Sequence, residues 1–114
     1  VDLVKQGQVI VNTSRGGVVD LDAIEKGLKS GRLSGAALDV LPTEPIDYEH
    51  PLLKAFELSE EWLDGRLIIT PHAAFFSPSS VKDMRRIAAE NILNFFENGG
   101  LRSCLNLENL TSFR

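Results

Sequence analysis

The chain has 114 residues, 43% of them hydrophobic and 25% charged, with a formal net charge of −4. That balance is ordinary for one small globular domain and argues against a nucleic-acid partner, which calls for clustered positive charge. No apolar run approaches the roughly 18 residues of a membrane span, no signal-peptide pattern opens the chain, and a single cysteine, Cys104, excludes an internal disulfide. The expected setting is the reducing cytoplasm, away from membranes.

In chain order, residues 1–6 carry Leu3 and Val4 and read as the end of a helix stopped at Gly7. A start partway through a helix–strand unit, with no methionine, points to a piece of a longer polypeptide. "QVIVN", 8–12, is β-branched and almost continuously apolar, the pattern of a strand covered on both faces. Residues 20–32 predict a helix. Leu21, Ile24 and Leu28 share one face, Asp20 or Asp22 can cap the start, Asp22 with Glu25 has capping-box spacing, and Gly31 suits a left-handed stop. "SGAALDV", 34–40, is a second strand, and the two prolines of "LPTEP", 41–45, force a loop.

Residues 46–64 have weak helical periodicity, consistent with two short turns and an inward Trp62. "RLIIT", 66–70, is a third strand closed by Pro71. Ser77 and Pro78 have the types of an N-cap and first helical residue. They open a long helix over 78–98, striped by Val81, Met84, Ile87, Ala88, Ile92, Phe95 and Phe96. Gly99 and Gly100 end it, and residues 101–114 are a weakly patterned tail. Strands alternating with helices predict an α/β fold with a parallel, Rossmann-like sheet.

Ligands of such sheets gather beyond the carboxyl ends of the strands. Arg15 follows the first strand, Asp39 and Glu44 lie at or after the end of the second, and His72 follows the third. Taken singly, each has a bland reading: a solvated arginine, a turn cap, a loop carboxylate, a structural histidine. Their shared position gives them another. An arginine fork grips carboxylates. A histidine trades protons near neutrality, and a carboxylate beside it favours the imidazolium and fixes the tautomer. The set suits interconversion of 2-hydroxy and 2-oxo acids. His50 reads as a surface residue and Cys104 carries no visible chemistry. Two scattered histidines and one cysteine do not make a zinc site, so no metal is expected.

"VNTSRGGVVD", "GAALDVLPTEP" and "TPHAAFFS", in this order, resemble the D-isomer-specific 2-hydroxyacid dehydrogenases. "PHAAFF" and the helix after it look most like the branch containing the C-terminal-binding-protein corepressors. The resemblance runs from about residue 1 to residue 100. It implies that Arg15 holds the substrate carboxylate and carbonyl, that His72 is the general acid/base, and that Glu44 is its paired carboxylate. It also implies that Asp39 contacts the nicotinamide carboxamide, that Thr13 and Ser14 line the cofactor side, and that Phe75 lies near the substrate pocket. The implied cofactor is NAD, the substrate a small 2-hydroxy or 2-oxo acid, and the assembly a homodimer.

The sequence departs from the family in having no G-x-G-x-x-G and no acidic residue about 20 positions beyond one. Residues 1–98 therefore read as the C-terminal half of a dinucleotide-binding domain including a crossover helix, 78–98. Residues 99–114 read as a tail belonging to a substrate domain. The stretch alone is expected to be inactive and to self-associate through a raw sheet edge. Two other functions compete: an NAD(H)-sensing scaffold of the corepressor type, and a stand-alone half-domain that binds a partner through its edge.

Overall fold

The computed structural model describes residues 1–107, which fall into two compact units, residues 1–74 and the residues from Phe75 onward. The tail expected at 99–114 lies partly outside the described residues. The first unit is a three-stranded parallel sheet in the order β1-β2-β3, with β1 at Gln8–Asn12, β2 at Leu33–Leu38 and β3 at Leu67–Ile69. Ile10 pairs with Ala36 and Asn12 with Leu38, while Ala36 pairs with Leu67 and Leu38 with Ile69, so the three carboxyl ends finish level. Helix α1, Leu21–Lys29, links β1 to β2; α2, Pro51–Glu57, and a 3₁₀ turn at Glu61–Leu63 lie between β2 and β3.

The core packs Leu21, Ile24 and Leu28 of α1 and Leu52, Leu53 and Ala55 of α2 against Leu33, Ala36, Leu38 and Leu67 of the sheet. Both helices thus cover one face. Strands were expected to be covered on both, but the alternate residues Val9, Val11 and Ile68 are 57%, 66% and 59% exposed. The reason is topological. Consecutive strands laid side by side with crossovers of one hand put every crossover helix on the same side, and the period-2 alternation sends every second side chain to the other.

Three other expectations need correction. Residues 1–6 form turns, with Val4 N–H donating to Val1 O at 3.1 Å and Leu3 fully exposed. Their carbonyls are used elsewhere: Arg32 Nη1 donates to Asp2 O and Val4 O. Gly7 does sit at φ +77°, turning the chain into β1. Asp20, not Asp22, caps α1, accepting from Asp22 N–H at 2.9 Å, and no Asp22–Glu25 capping box forms. His50 is not a plain surface residue. It is the N-cap of α2, its Nδ1 accepting from Leu52 N–H at 3.1 Å.

Arg66 ties these elements together. Its Nη2 donates to Leu28 O at the end of α1 and Leu33 O at the start of β2, and its Nη1 donates to Trp62 O. A guanidinium at the carboxyl end of α1 also meets the negative end of the helix dipole. Trp62 is partly buried against the core, its Nε1–H donating to Glu60 Oε2 and Lys29 Nζ lying 5.1 Å from its ring centre.

The second unit carries α3, Pro78–Asn98. Ser77 Oγ accepts from Ser80 N–H, Ser80 Oγ accepts in turn from Ser77 N–H, and Gly99 at φ +65° ends the helix. Arg86 pairs with Asp83 and Glu90 on its polar side.

A pair of substitutions tests which face is the core. Leu28→Ala removes a fully buried side chain and is expected to cost about 2–5 kcal/mol, whereas Val11→Thr on the open face should change stability by less than about 0.5 kcal/mol. Urea unfolding of the 114-residue chain measures both. A Val11→Thr loss equal to that of Leu28→Ala would mean that the open face is covered in solution.

Candidate active site

Each strand hands over to its loop through one side chain. Asn12, at the end of β1, is only 4% exposed. Its Oδ1 accepts from Ser14 N–H at 3.1 Å and from the Ser14 hydroxyl at 2.9 Å, while its Nδ2 donates to Arg15 O at 2.9 Å. This Asx-type turn shapes the loop bearing Thr13, Ser14 and Arg15. All three are exposed, and Arg15 Nη1 donates to Ser14 O at 2.7 Å. The Asn12 carbonyl in turn accepts Asp39 N–H at 2.9 Å, locking the first loop to the second.

Gly16 makes the same junction tighter. A Cβ there would lie 2.0 Å from the Leu41 carbonyl carbon and oxygen and 2.4 Å from Pro42 N. Only a residue with no side chain lets the Arg15 loop close onto the backbone that leads to Glu44.

On that second loop Leu41 N–H donates to Glu44 Oε1 at 2.9 Å, and Glu44 Oε2 meets His72 Nδ1 at 2.7 Å. The bond from His72, joined by that from Leu41 N–H, holds the Glu44 carboxyl below its ordinary pKa. An ionised carboxylate only accepts, so the shared proton belongs to Nδ1, and Nε2 is left as the ring atom that can exchange one. Asp39 is buried and accepts from the Thr70 hydroxyl at 2.5 Å, Ala73 N–H at 2.9 Å and Ala74 N–H at 2.9 Å. The Thr70 bond first, then the Ala74 bond, lower its pKa against the opposing effect of burial.

The parallel sheet therefore brings Asp39, Glu44 and His72 into one hydrogen-bonded set and seats the Arg15 loop against the Glu44 loop. An apolar cavity of about 420 Å³ flanks the pair, with Leu41, Ile46, Tyr48, Phe56 and Ile69 in its walls. Phe75 belongs to the second unit, where its ring meets that of Phe76 edge-on at 6.4 Å.

Asp22, Glu25 and His50 also lie together, their ligand atoms within 4.8 Å of one another. With His50 Nδ1 accepting from Leu52 N–H, the neutral ring carries its proton on Nε2, 3.1 Å from Asp22 Oδ1. That contact fastens α1 to α2. Asn12, Gly16 and Thr70 were not singled out in the sequence. The only signal for the first is a polar residue closing an apolar strand ahead of a Gly-containing loop.

Two experiments follow from this geometry. Gly16→Ala is expected to destabilise the chain by about 1–3 kcal/mol or more, as overpacking does, while Gly17→Ala, with nothing near its position, costs little; equal urea midpoints for the two would contradict the close approach. Because the carboxyls of Asp39 and Glu44 are held below their ordinary values, their stabilising contribution is fully present above about pH 4. It is lost as pH falls through the lower folded-state values. Glu44→Gln and Asp39→Asn should each flatten the loss of stability on acidification, read as urea midpoint against pH; an unchanged slope in both would count against the contacts.

Residues 1–74 match the family described as D-isomer specific 2-hydroxyacid dehydrogenase, NAD binding domain. The chain is 41% identical over 91 residues to the glyoxylate reductase of Korarchaeum cryptofilum, an alignment covering 80% of this chain and 25% of that protein. It is 35% identical over 106 residues to the D-3-phosphoglycerate dehydrogenase of Archaeoglobus fulgidus, covering 93% of this chain and 18% of the other. Among solved structures, a glyoxylate reductase from Paecilomyes thermophila superposes with a TM-score of 0.70 at 29% identity, over 91% of this chain and 29% of that one. The chain thus spans a quarter or less of the length of these curated relatives.

Proposed function

The chain belongs to the D-isomer-specific 2-hydroxyacid dehydrogenase family through its NAD-binding domain, and we propose that it carries the acid/base half of an NAD-dependent interconversion of D-2-hydroxy acids and 2-oxo acids. The observation that supports this most is the Glu44–His72 pair, 2.7 Å apart at the level carboxyl ends of parallel strands. The names of the relatives, a glyoxylate reductase and a phosphoglycerate dehydrogenase, point the same way.

In this reading Arg15 binds the substrate carboxylate as a fork of donors and orients C2. His72 Nε2–H protonates the oxygen on C2 during reduction and Nε2 takes that proton back during oxidation, while Glu44 keeps Nδ1 protonated and offsets the imidazolium charge. The residues also suit a nicotinamide. Three donors reach the Asp39 carboxylate, which has about four acceptor positions, so one remains on Oδ2 for a carboxamide N–H. Thr13 and Ser14, exposed on the neighbouring loop, would line the same side. When bound, the cofactor supplies or receives the hydride. Phe75 is assigned to the substrate pocket. Residues 78–98 are read as a crossover helix between domains.

The test begins with the cellular polypeptide that carries these 114 residues, captured with an antibody to them and assayed for NADH oxidation by a panel of 2-oxo acids. His72→Gln is expected to lower kcat about 10²–10⁴-fold, and Arg15→Gln to raise KM for every 2-oxo acid. The 114-residue chain alone, with no glycine-rich pyrophosphate turn in its sequence, should turn over none of them. Full turnover by the His72→Gln protein would sink the acid/base assignment. NADH-dependent assembly without turnover would favour the scaffold.

A further inference from the structure

His72 is a non-glycine residue with φ +53°. The left-handed region is unfavourable for an L-residue, and such a conformation lasts only where its surroundings over-determine it. The surroundings here are one residue deep. His72 N–H donates to Asp39 O at 2.8 Å and also to Thr70 O at 3.0 Å. The next two N–H groups, of Ala73 and Ala74, both point at the Asp39 carboxylate, one on each oxygen. The Thr70 hydroxyl closes the ring of donors on Oδ1 at 2.5 Å. Asp39 itself is held to the sheet by its N–H bond to Asn12 O.

We propose that Thr70 is a positioning residue for His72: by anchoring the Asp39 carboxylate to the end of β3, its hydroxyl holds the left-handed turn that aims the imidazole at Glu44. This rests on the reading of His72 as the acid/base.

The logic is geometric. The sign of φ at residue 72 decides where its Cα–Cβ bond points, and the half-exposed ring has one side-chain tether, Glu44. The Ala73 and Ala74 N–H groups hold one oxygen each and so set the plane of the carboxylate. The Thr70 hydroxyl is the donor that ties Oδ1, and with it the Ala73 amide, to the end of β3. In Thr70→Val the shape is kept and only the donor is lost. The carboxylate then loses its anchor to β3, the turn it holds relaxes toward ordinary φ, and His72 Nδ1 leaves Glu44. Serine in place of threonine restores the donor.

The experiment is ¹⁵N-resolved long-range NMR of the His72 ring in the 114-residue chain, with amide exchange of Ala73 and Ala74. Wild type should show the neutral ring protonated on Nδ1, and both amides protected although their residues are exposed. Thr70→Val should shift the ring toward the Nε2–H tautomer and speed exchange of the two amides about tenfold, the order expected for losing one hydrogen bond. Thr70→Ser should return both to wild type. Unprotected Ala73 and Ala74 amides in the wild type would overturn the proposal even if the valine variant failed to fold. So would an unchanged tautomer in a folded valine variant, or no rescue by serine. Turnover by the cellular polypeptide separates this from the acid/base reading. If His72→Gln leaves turnover intact, that reading fails whatever the tautomer does; if it abolishes turnover while Thr70→Val keeps kcat, only the positioning role fails.

Discussion

Parallel pairing of three consecutive strands is the constraint on which the site depends. Residues far apart in the chain are brought to one edge because β1, β2 and β3 finish level in their registers. The polar contacts beyond that edge continue the ladder with side chains. Asp39 N–H reaches Asn12 O, Thr70 N–H reaches Leu38 O, and His72 N–H reaches Asp39 O. Reversing any one of these strands would carry the residue that follows it to the opposite edge of the sheet.

The same topology explains the distribution of apolar residues. With α1 and α2 on one side, the buried leucines form a single cluster, and Arg66 donates to carbonyls at the end of α1 and the start of β2. The cost is an open face carrying Val9, Val11 and Ile68. In an α/β fold such a face is ordinarily covered by further helices. The apolar composition of β1 therefore looks like that of a two-sided strand, while the side chains described here cover one side.

The strands, the α1 face and the limits of α3 were legible in the sequence because each is written in local pattern: β-branched runs, Leu21–Ile24–Leu28 spacing, Ser77–Pro78 before the long helix. The candidate residues were legible only through the rule that parallel strands present their carboxyl ends together. What escaped notice was non-local or required a side chain to be absent. Nothing near Gly16 in sequence says that Leu41 will lie against it. Nothing near His50 says that its ring will both cap α2 and meet Asp22 across 28 residues. Residues 1–6 misled for a non-local reason as well: carbonyls that a helix would use accept from Arg32 instead.

The polar network also separates two jobs that a single carboxylate would do badly. Glu44 is exposed enough to follow the charge on His72, accepting Leu41 N–H on one oxygen and the imidazole on the other. Asp39 is buried, and it accepts from the Thr70 hydroxyl and from the backbone N–H groups of Ala73 and Ala74, which fixes the turn that carries His72. The acid/base role proposed for His72 would require it to change charge during turnover without moving. Placing the charge compensation on one carboxylate and the backbone restraint on another meets both demands. In the proposed reaction a proton gained at Nε2 is felt by both carboxylates, through a direct bond at Glu44 and through space at Asp39, while the donors of Asp39 stay in place, which is the condition for a histidine on an exposed loop to keep its aim.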